Sequence, residues 1–159
     1  MPKTINDAAI VIRQRVNDKD KINYRDEEIV ADVATACRYL SQVLIARKSP
    51  EMIVAEDIVD FTAVPENFHS FVGQFPAWRE GAVFRTSTGS DSVPIRYWAT
   101  RGQGLTSLTD EVPFDEIYFD AICEAAAMLL LTRDEFDTSK EQSMLQALEA
   151  LMPGGGGTP

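Results

Sequence analysis

Apolar positions recur at helical spacing over the first fifty residues. Ile5, Ala9, Ile12 and Val16 share one face while Arg13, Gln14 and Asn17 turn away, which predicts a helix over about residues 4–17. Thr4 can cap it, with Asp7 three residues on as the reciprocal partner of a capping box. The polar stretch from Asn17 to Lys21 reads as a loop. A second helix is expected over about 26–48, with Asp26, Glu27 and Glu28 suiting its positive end. Its apolar face runs through Ile29, Val33, Ala36, Leu40, Val43 and Leu44. Arg47 and Lys48 complement its C-terminus, and Pro50 stops it.

Beyond Pro50 the period shortens. Asp57 to Ala63 alternates, placing Val59, Phe61 and Ala63 on one side of an expected strand. Val64 to Phe68 turns the chain. Gly81–Thr88 and Val93–Thr100 are two further expected strands around the polar turn Gly89-Ser90-Asp91. Pro94, which cannot donate to a ladder, belongs at an edge or near a strand start. The β-rich region thus spans about 55–100, and Arg101-Gly102-Gln103-Gly104 leads out of it as a flexible loop.

The helical period returns at Pro113. A helix over about 114–133 is apolar on nearly every side from Ala121 to Leu131. Such a segment is surrounded by protein or lies in a membrane. The apolar run is shorter than the roughly 20 residues a bilayer needs, and Glu124 interrupts it, so a central packing helix is expected. Thr138 to Glu141 is a capping box for a last helix over about 138–152, with Met144, Leu145, Leu148 and Leu151 on its apolar face. Pro153 ends it, and 153–159 is a glycine-rich tail. The fold class expected is therefore mainly α: a single domain over about 1–152, a small antiparallel bundle of about four helices carrying an inserted β-hairpin or small antiparallel sheet.

Charge and cysteine content narrow the function classes. The net charge of −10 divides as +2 over residues 1–50, −5 over 51–112 and −7 over 113–159. An acidic chain is a poor ligand for nucleic acid, which is held by clustered lysine and arginine. The acidity serves solubility, or lets the basic and acidic ends meet complementary surfaces on other copies of the chain. Cys37 and Cys123 both fall inside expected helices among apolar neighbours, and Met-Pro-Lys runs straight into a helix without a signal-peptide pattern. Two buried thiols in a reducing compartment are expected, not a disulfide, and nothing in the sequence indicates a membrane.

Reaction chemistry is sparse. One histidine, His69, and two separated cysteines do not make a metal site. No Gly-x-Ser-x-Gly occurs, Gly102-x-Gly104 lacks a third glycine and a following helix, and Gly154–Gly157 lacks a following Lys-Ser/Thr. No catalytic, cofactor-binding or metal-binding residue is assigned, no cofactor is expected, and the chain is not expected to be an enzyme. The candidates are for an interface instead. Phe75, Trp78 and Arg79 lie in the loop-like stretch Phe75-Pro76-Ala77-Trp78-Arg79, and Trp98 and Arg101 follow; exposed aromatics with arginine are typical anchors. Glu124 is a further candidate. Either it lies on an exposed strip of its helix, or it is buried against an arginine such as Arg38, because isolated burial of a charge is too costly.

The order of these elements resembles a known family. The run INYRDEEIVADVATACRYLSQVLIARKSP (22–50), then DFTAVPENFHSFVG (60–73), hairpin strands, and VPFDEIYFDAICEAAAMLLLTRDE (112–135) with a closing helix is similar to the head-to-tail adaptor, or connector, proteins of tailed bacteriophages. The resemblance covers most of the chain as a pattern of elements, not a single motif. It implies a structural virion protein assembled in the host cytoplasm: a homo-oligomeric ring, commonly twelve copies, that docks on the portal at the phage neck and meets the next tail protein. Genomic DNA would only pass through an acidic lumen. The β protrusion, or a terminal arm formed by the short segment after Leu151, would contact the portal or the next tail component. The other reading is a small acidic protein-binding or regulatory module that uses the aromatic loop.

Overall fold

Thr4 opens the first helix, α1 (Ile5–Arg15), with the expected capping box. Its hydroxyl accepts the Asp7 N–H at 3.2 Å and the Asp7 carboxylate accepts the Thr4 N–H at 2.9 Å. The structure, a computed structural model, describes residues 2–18, 21, 23–132, 145, 146 and 148–150. The second helix, α2 (Asp26–Ala46), ends two residues before the expected boundary. Helix α3 is Phe119–Leu131, preceded by a 3-10 turn at Glu116–Tyr118. Five strands lie between α2 and α3: β1 (Ile53–Ile58), β2 (Phe68–Phe71), β3 (Ala77–Glu80), β4 (Val83–Thr86) and β5 (Val93–Ala99). They form two antiparallel sheets, β1-β5-β2 and β3-β4.

The class is therefore mixed α/β, which corrects the expectation of a mainly helical bundle with a hairpin. Strands β2 and β3 have four residues each, too few to show alternation, and the sequence offers them only as a turn and a loop. The strand expected at 57–63 is displaced: β1 begins at Ile53 and ends at Ile58. Val59–Thr62 is a turn in which the Thr62 N–H donates to the Val59 carbonyl at 3.1 Å. Of the closing helix expected at 138–152, residues 145, 146 and 148–150 are helical and Leu148 is buried. The rest of that helix, the turn at 133–137 and the tail at 153–159 lie outside the described residues.

Two compact units divide the chain: residues 1–43 with 101–159, and residues 44–100. In the first, α1 packs on α3. Ile5, Ala8, Ala9 and Ile12 are buried on α1, and all of residues 121–130 except Glu124 and Met128 are buried on α3. Helix α2 is long and apolar enough by composition to cross a bilayer, but 67% of its apolar window is buried within the protein, as in a core helix. Gly102 fits against α2 where a side chain could not. Its φ is +114°, and a β-carbon would lie 2.8 Å from the Ala34 carbonyl oxygen and 3.1 Å from the Cys37 β-carbon. Beside it, the Arg101 N–H donates to the Ser41 hydroxyl at 2.8 Å, and that hydroxyl donates to the Cys37 carbonyl at 2.8 Å.

Both cysteines are free and buried. Burial pushes the thiols of Cys37 and Cys123 up to about 12, so neither forms a thiolate near neutral pH. The folded protein is expected to leave both thiols unreacted with a disulfide reagent at pH 8, and denaturant should release two. Rapid labelling of either without denaturant would contradict this packing.

In the second unit the aromatics form their own core. Ile58, Phe84, Val93, Ile95, Tyr97 and Ala99 are buried, with Phe68, Phe71 and Phe75 packed against them. The ring of Phe68 lies 5.2 Å from each of Phe71, Phe84 and Tyr97, within the range of favourable aromatic pairs. Alternation along β5 buries Val93, Ile95, Tyr97 and Ala99 and leaves Pro94 and Arg96 exposed. Pro94 is the second residue of β5, near the strand start as expected.

Candidate functional site

The turn between β1 and β2 carries the most exposed large apolar side chain among the described residues. Phe61 is 63% exposed and its φ is +70°, a conformation that costs a bulky residue free energy. Its backbone is held in place: the Phe61 N–H donates to Phe84 O at 2.8 Å and the Phe84 N–H to Thr62 O at 2.7 Å. The Thr62 hydroxyl closes the turn, donating to Val59 O at 2.7 Å and accepting the Val59 N–H at 3.0 Å. The fold thus aims a strained aromatic outward.

Arg85 on β4 covers one face of this ring, its guanidinium carbon 4.2 Å from the centroid, a cation–π geometry. Two carboxylates orient the guanidinium, Asp60 at 2.8 Å from Nε and Glu80 at 3.2 Å from Nη1. Trp78, 47% exposed, is the cross-strand partner of Arg85 on β3, so the two project from the same face of the ribbon. Val59, 45% exposed, belongs to the same turn as Phe61. Arg85 thus links the exposed rings, stacked on Phe61 and paired across the ribbon with Trp78, with Asp60 and Glu80 at its rim.

The hydrogen bond from Arg85, and then the Thr86 N–H at 2.9 Å, hold the Asp60 carboxyl below the usual aspartate range. A folded pKa below the unfolded one means that the contribution to stability is full above the ordinary aspartate pKa. It is lost as pH falls through the lower folded value. Carboxyl NMR should show Asp60 titrating below the range of free aspartate, and Asp60→Asn should remove that share of the acid sensitivity. An ordinary midpoint would exclude the Arg85 clamp.

The six candidates from the sequence divide between the two units. Trp78 is exposed on β3, and Arg79 is exposed with its guanidinium 5.7 Å from the Phe68 ring. Phe75 is partly buried, 6.1 Å from Phe71, and Trp98 is half-buried on β5. Arg101 and Glu124 belong to the other unit and have local partners. Arg101 donates to Pro113 O at 3.0 Å and stacks 5.0 Å from the Phe114 ring. Glu124 lies on the exposed strip and pairs with Arg15 at 2.5 Å, with the side chains 45% and 34% exposed. Arg38 instead donates to Thr35 at 3.0 Å. An exposed pair of this kind contributes little stability. Phe61 and Arg85 were not candidates: no residue type marks a phenylalanine at positive φ, and reading 57–63 as a strand assigns Phe61 to an ordinary sheet face.

Among the described residues no group of three or more His, Cys, Asp or Glu side chains could hold a metal ion. His69 is exposed, its Nδ1 2.9 Å from the Ser70 hydroxyl. Neither the family models nor the curated proteins compared with the chain give a match.

Proposed function

We propose that the protein is a structural adaptor of a tailed-bacteriophage neck, a virion protein without enzymatic activity. Copies form a homo-oligomeric ring, commonly of twelve in the resembling family, that docks on the portal and receives the next tail protein while DNA passes through the lumen. The observation that supports this reading is the order of elements. Two helices, α1 and α2, precede a β-rich insertion, and a helix buried on nearly every side, α3, follows it. The sequence runs 22–50 and 112–135 that carry the family resemblance flank that insertion.

Sedimentation of the chain alone and with a phage portal protein tests the reading. A ring that forms, or becomes stable, on the portal is the expected result. A chain that stays monomeric and does not bind the portal would overturn it. The second reading, a small acidic protein-binding module, is favoured by exposed Phe61 and Trp78, and a stoichiometric complex with a protein unrelated to a virion would select it.

A further inference from the structure

Every sheet edge in the 44–100 unit except one is blunted. Strand β2 is four residues long and its pairing with β5 shifts between Phe68 and Ser70. Strand β3 is equally short, starts after Pro76, and folds the Arg79 side chain onto Gly81 O at 2.9 Å. Short edges, prolines and irregular pairing are devices that keep foreign strands away. The outer side of β4 is occupied by the turn after β1, through Phe61, Thr62 and Val64. Strand β1 has six residues, Ile-Val-Ala-Glu-Asp-Ile, with no proline, bulge or lysine.

Hydrogen-bond parity identifies the free groups of β1. The Val72 N–H donates to Arg96 O at 2.8 Å, and the Thr100 N–H to Asn67 O at 2.9 Å. Arg96, Trp98 and Thr100 therefore direct their backbone towards β2, and Val93, Ile95 and Tyr97 direct theirs towards β1. Their partners Ile58, Glu56 and Val54 face inward. Ile53, Ala55 and Asp57 point to the open side. The Ile53 N–H is already taken by Pro50 O, and the Val59 N–H beyond the strand by Thr62. The open groups are thus the carbonyls of Ile53, Ala55 and Asp57 and the N–H groups of Ala55 and Asp57, with no backbone partner among the described residues. Val54, Ala55 and Asp57 are exposed.

We propose that β1 is a docking edge that takes an extended segment of a different protein as an added strand, and that this segment is basic. The charges decide the occupant. The only ionisable side chains on β1 are carboxylates, Glu56 and Asp57, while the exposed arginine of the neighbouring strand, Arg96, stands opposite Ala55 on the inner side. Pairing β1 with a second copy would gather four carboxylates on one short ladder between two chains of charge −10, which cross-strand repulsion opposes. A strand with lysine or arginine between β-branched residues meets the same edge with opposite charge, and its main chain completes the open hydrogen bonds. Beyond the strand end, exposed Val59 and Phe61 offer apolar contact to its flank. Anionic nucleic acid and anionic lipid are repelled by the same carboxylates. The inference stands on this edge and goes beyond the adaptor reading, which can fail without it.

The test is amide hydrogen exchange by NMR with a capped eight-residue peptide alternating valine and lysine. Exchange of the Ala55 and Asp57 N–H groups should slow at least tenfold. Val54, Glu56 and Ile58, already bonded to β5, should not change. The same peptide with glutamate for lysine should give no protection. Ala55→Pro, which removes an outward donor at a position where an edge tolerates proline, should abolish binding while the Phe84 and Tyr97 resonances keep their shifts. Should that variant not fold, Asp57→Lys should weaken the lysine peptide and admit the glutamate one. Absent protection, protection without alternation, or equal binding of both peptides would overturn the proposal. So would a dimer of the free chain that Ala55→Pro dissolves, because it would give the edge to a second copy.

Discussion

Replacing Gly102 by alanine should destabilise the protein by about 3 kcal/mol, from left-handed backbone strain together with forced overpacking. The glycine has φ +114°, and the added methyl would sit 2.8 Å from a helix carbonyl oxygen and 3.1 Å from the Cys37 β-carbon. Neither neighbour is the free end of a flexible side chain: one is α2 backbone and the other a buried β-carbon. Gly81 is the control. It also has positive φ, +62°, but nothing lies within 4 Å of its would-be β-carbon, so Gly81→Ala should cost only the conformational part, roughly 1–2 kcal/mol. Urea unfolding of both variants separates strain from clash. Equal midpoints for the two would show that the close approach of Gly102 to α2 has no energetic weight.

Arg13→Met should cost more, about 3–5 kcal/mol, the penalty for stranding a buried charge. Arg13 projects from α1 into a site that leaves it 5% exposed. Its two terminal nitrogens reach Asp18 at 2.8 Å, Asp26 at 2.8 Å and the Tyr24 carbonyl at 2.9 Å. The Asp18 side chain is 2% exposed and also accepts the N–H groups of Asn23 at 2.9 Å and Tyr24 at 3.1 Å. Removing the guanidinium takes from that buried carboxylate the positive charge 2.8 Å away. Asp18→Asn in the same background keeps an acceptor for the two N–H groups and removes the charge, so the double variant should regain much of the loss. A double-mutant cycle reads the coupling directly. Additive losses would mean that the two side chains are not energetically paired.

Legibility from sequence followed the length and regularity of each element. Thr4 and Asp7 announced α1 because a capping box is a local interaction, complete within four residues. The 26–46 helix was legible from its acidic start and sustained apolar period. The all-round apolar run at 121–131 was also legible, and so was the one polar break in it, although the partner of Glu124 is Arg15 and not Arg38. The short strands were not. Phe68-His69-Ser70-Phe71 and Ala77-Trp78-Arg79-Glu80 carry no clear two-residue period, and they become strands only by pairing, the first with β5 on the far side of the β3-β4 hairpin and the second with β4 across a tight turn. That pairing turned a helical bundle with a hairpin into a mixed α/β fold. Trp78 was legible as an exposed aromatic. Phe61 was not, because its outward aim depends on a backbone conformation imposed by Phe84 and Thr62. Arg101 illustrates the converse: it opens what the sequence offers as a flexible loop, whereas its backbone and guanidinium both serve to fasten that loop.

Ser41 and Arg101, sixty positions apart, are joined through the serine hydroxyl, which accepts the Arg101 N–H at 2.8 Å and lies 3.4 Å from the Arg101 carbonyl oxygen. The chain leaves for its β-rich excursion within one helical turn of the point to which it returns. Because closing a loop grows costlier only with the logarithm of its length, the clasp is nearly indifferent to how much chain lies between its jaws. The segment from Leu44 to Thr100 is in that sense a cassette. Lengthening, shortening or exchanging its strands and turns alters what the protein can hold out to others while asking little of α2, to which the returning chain is fastened.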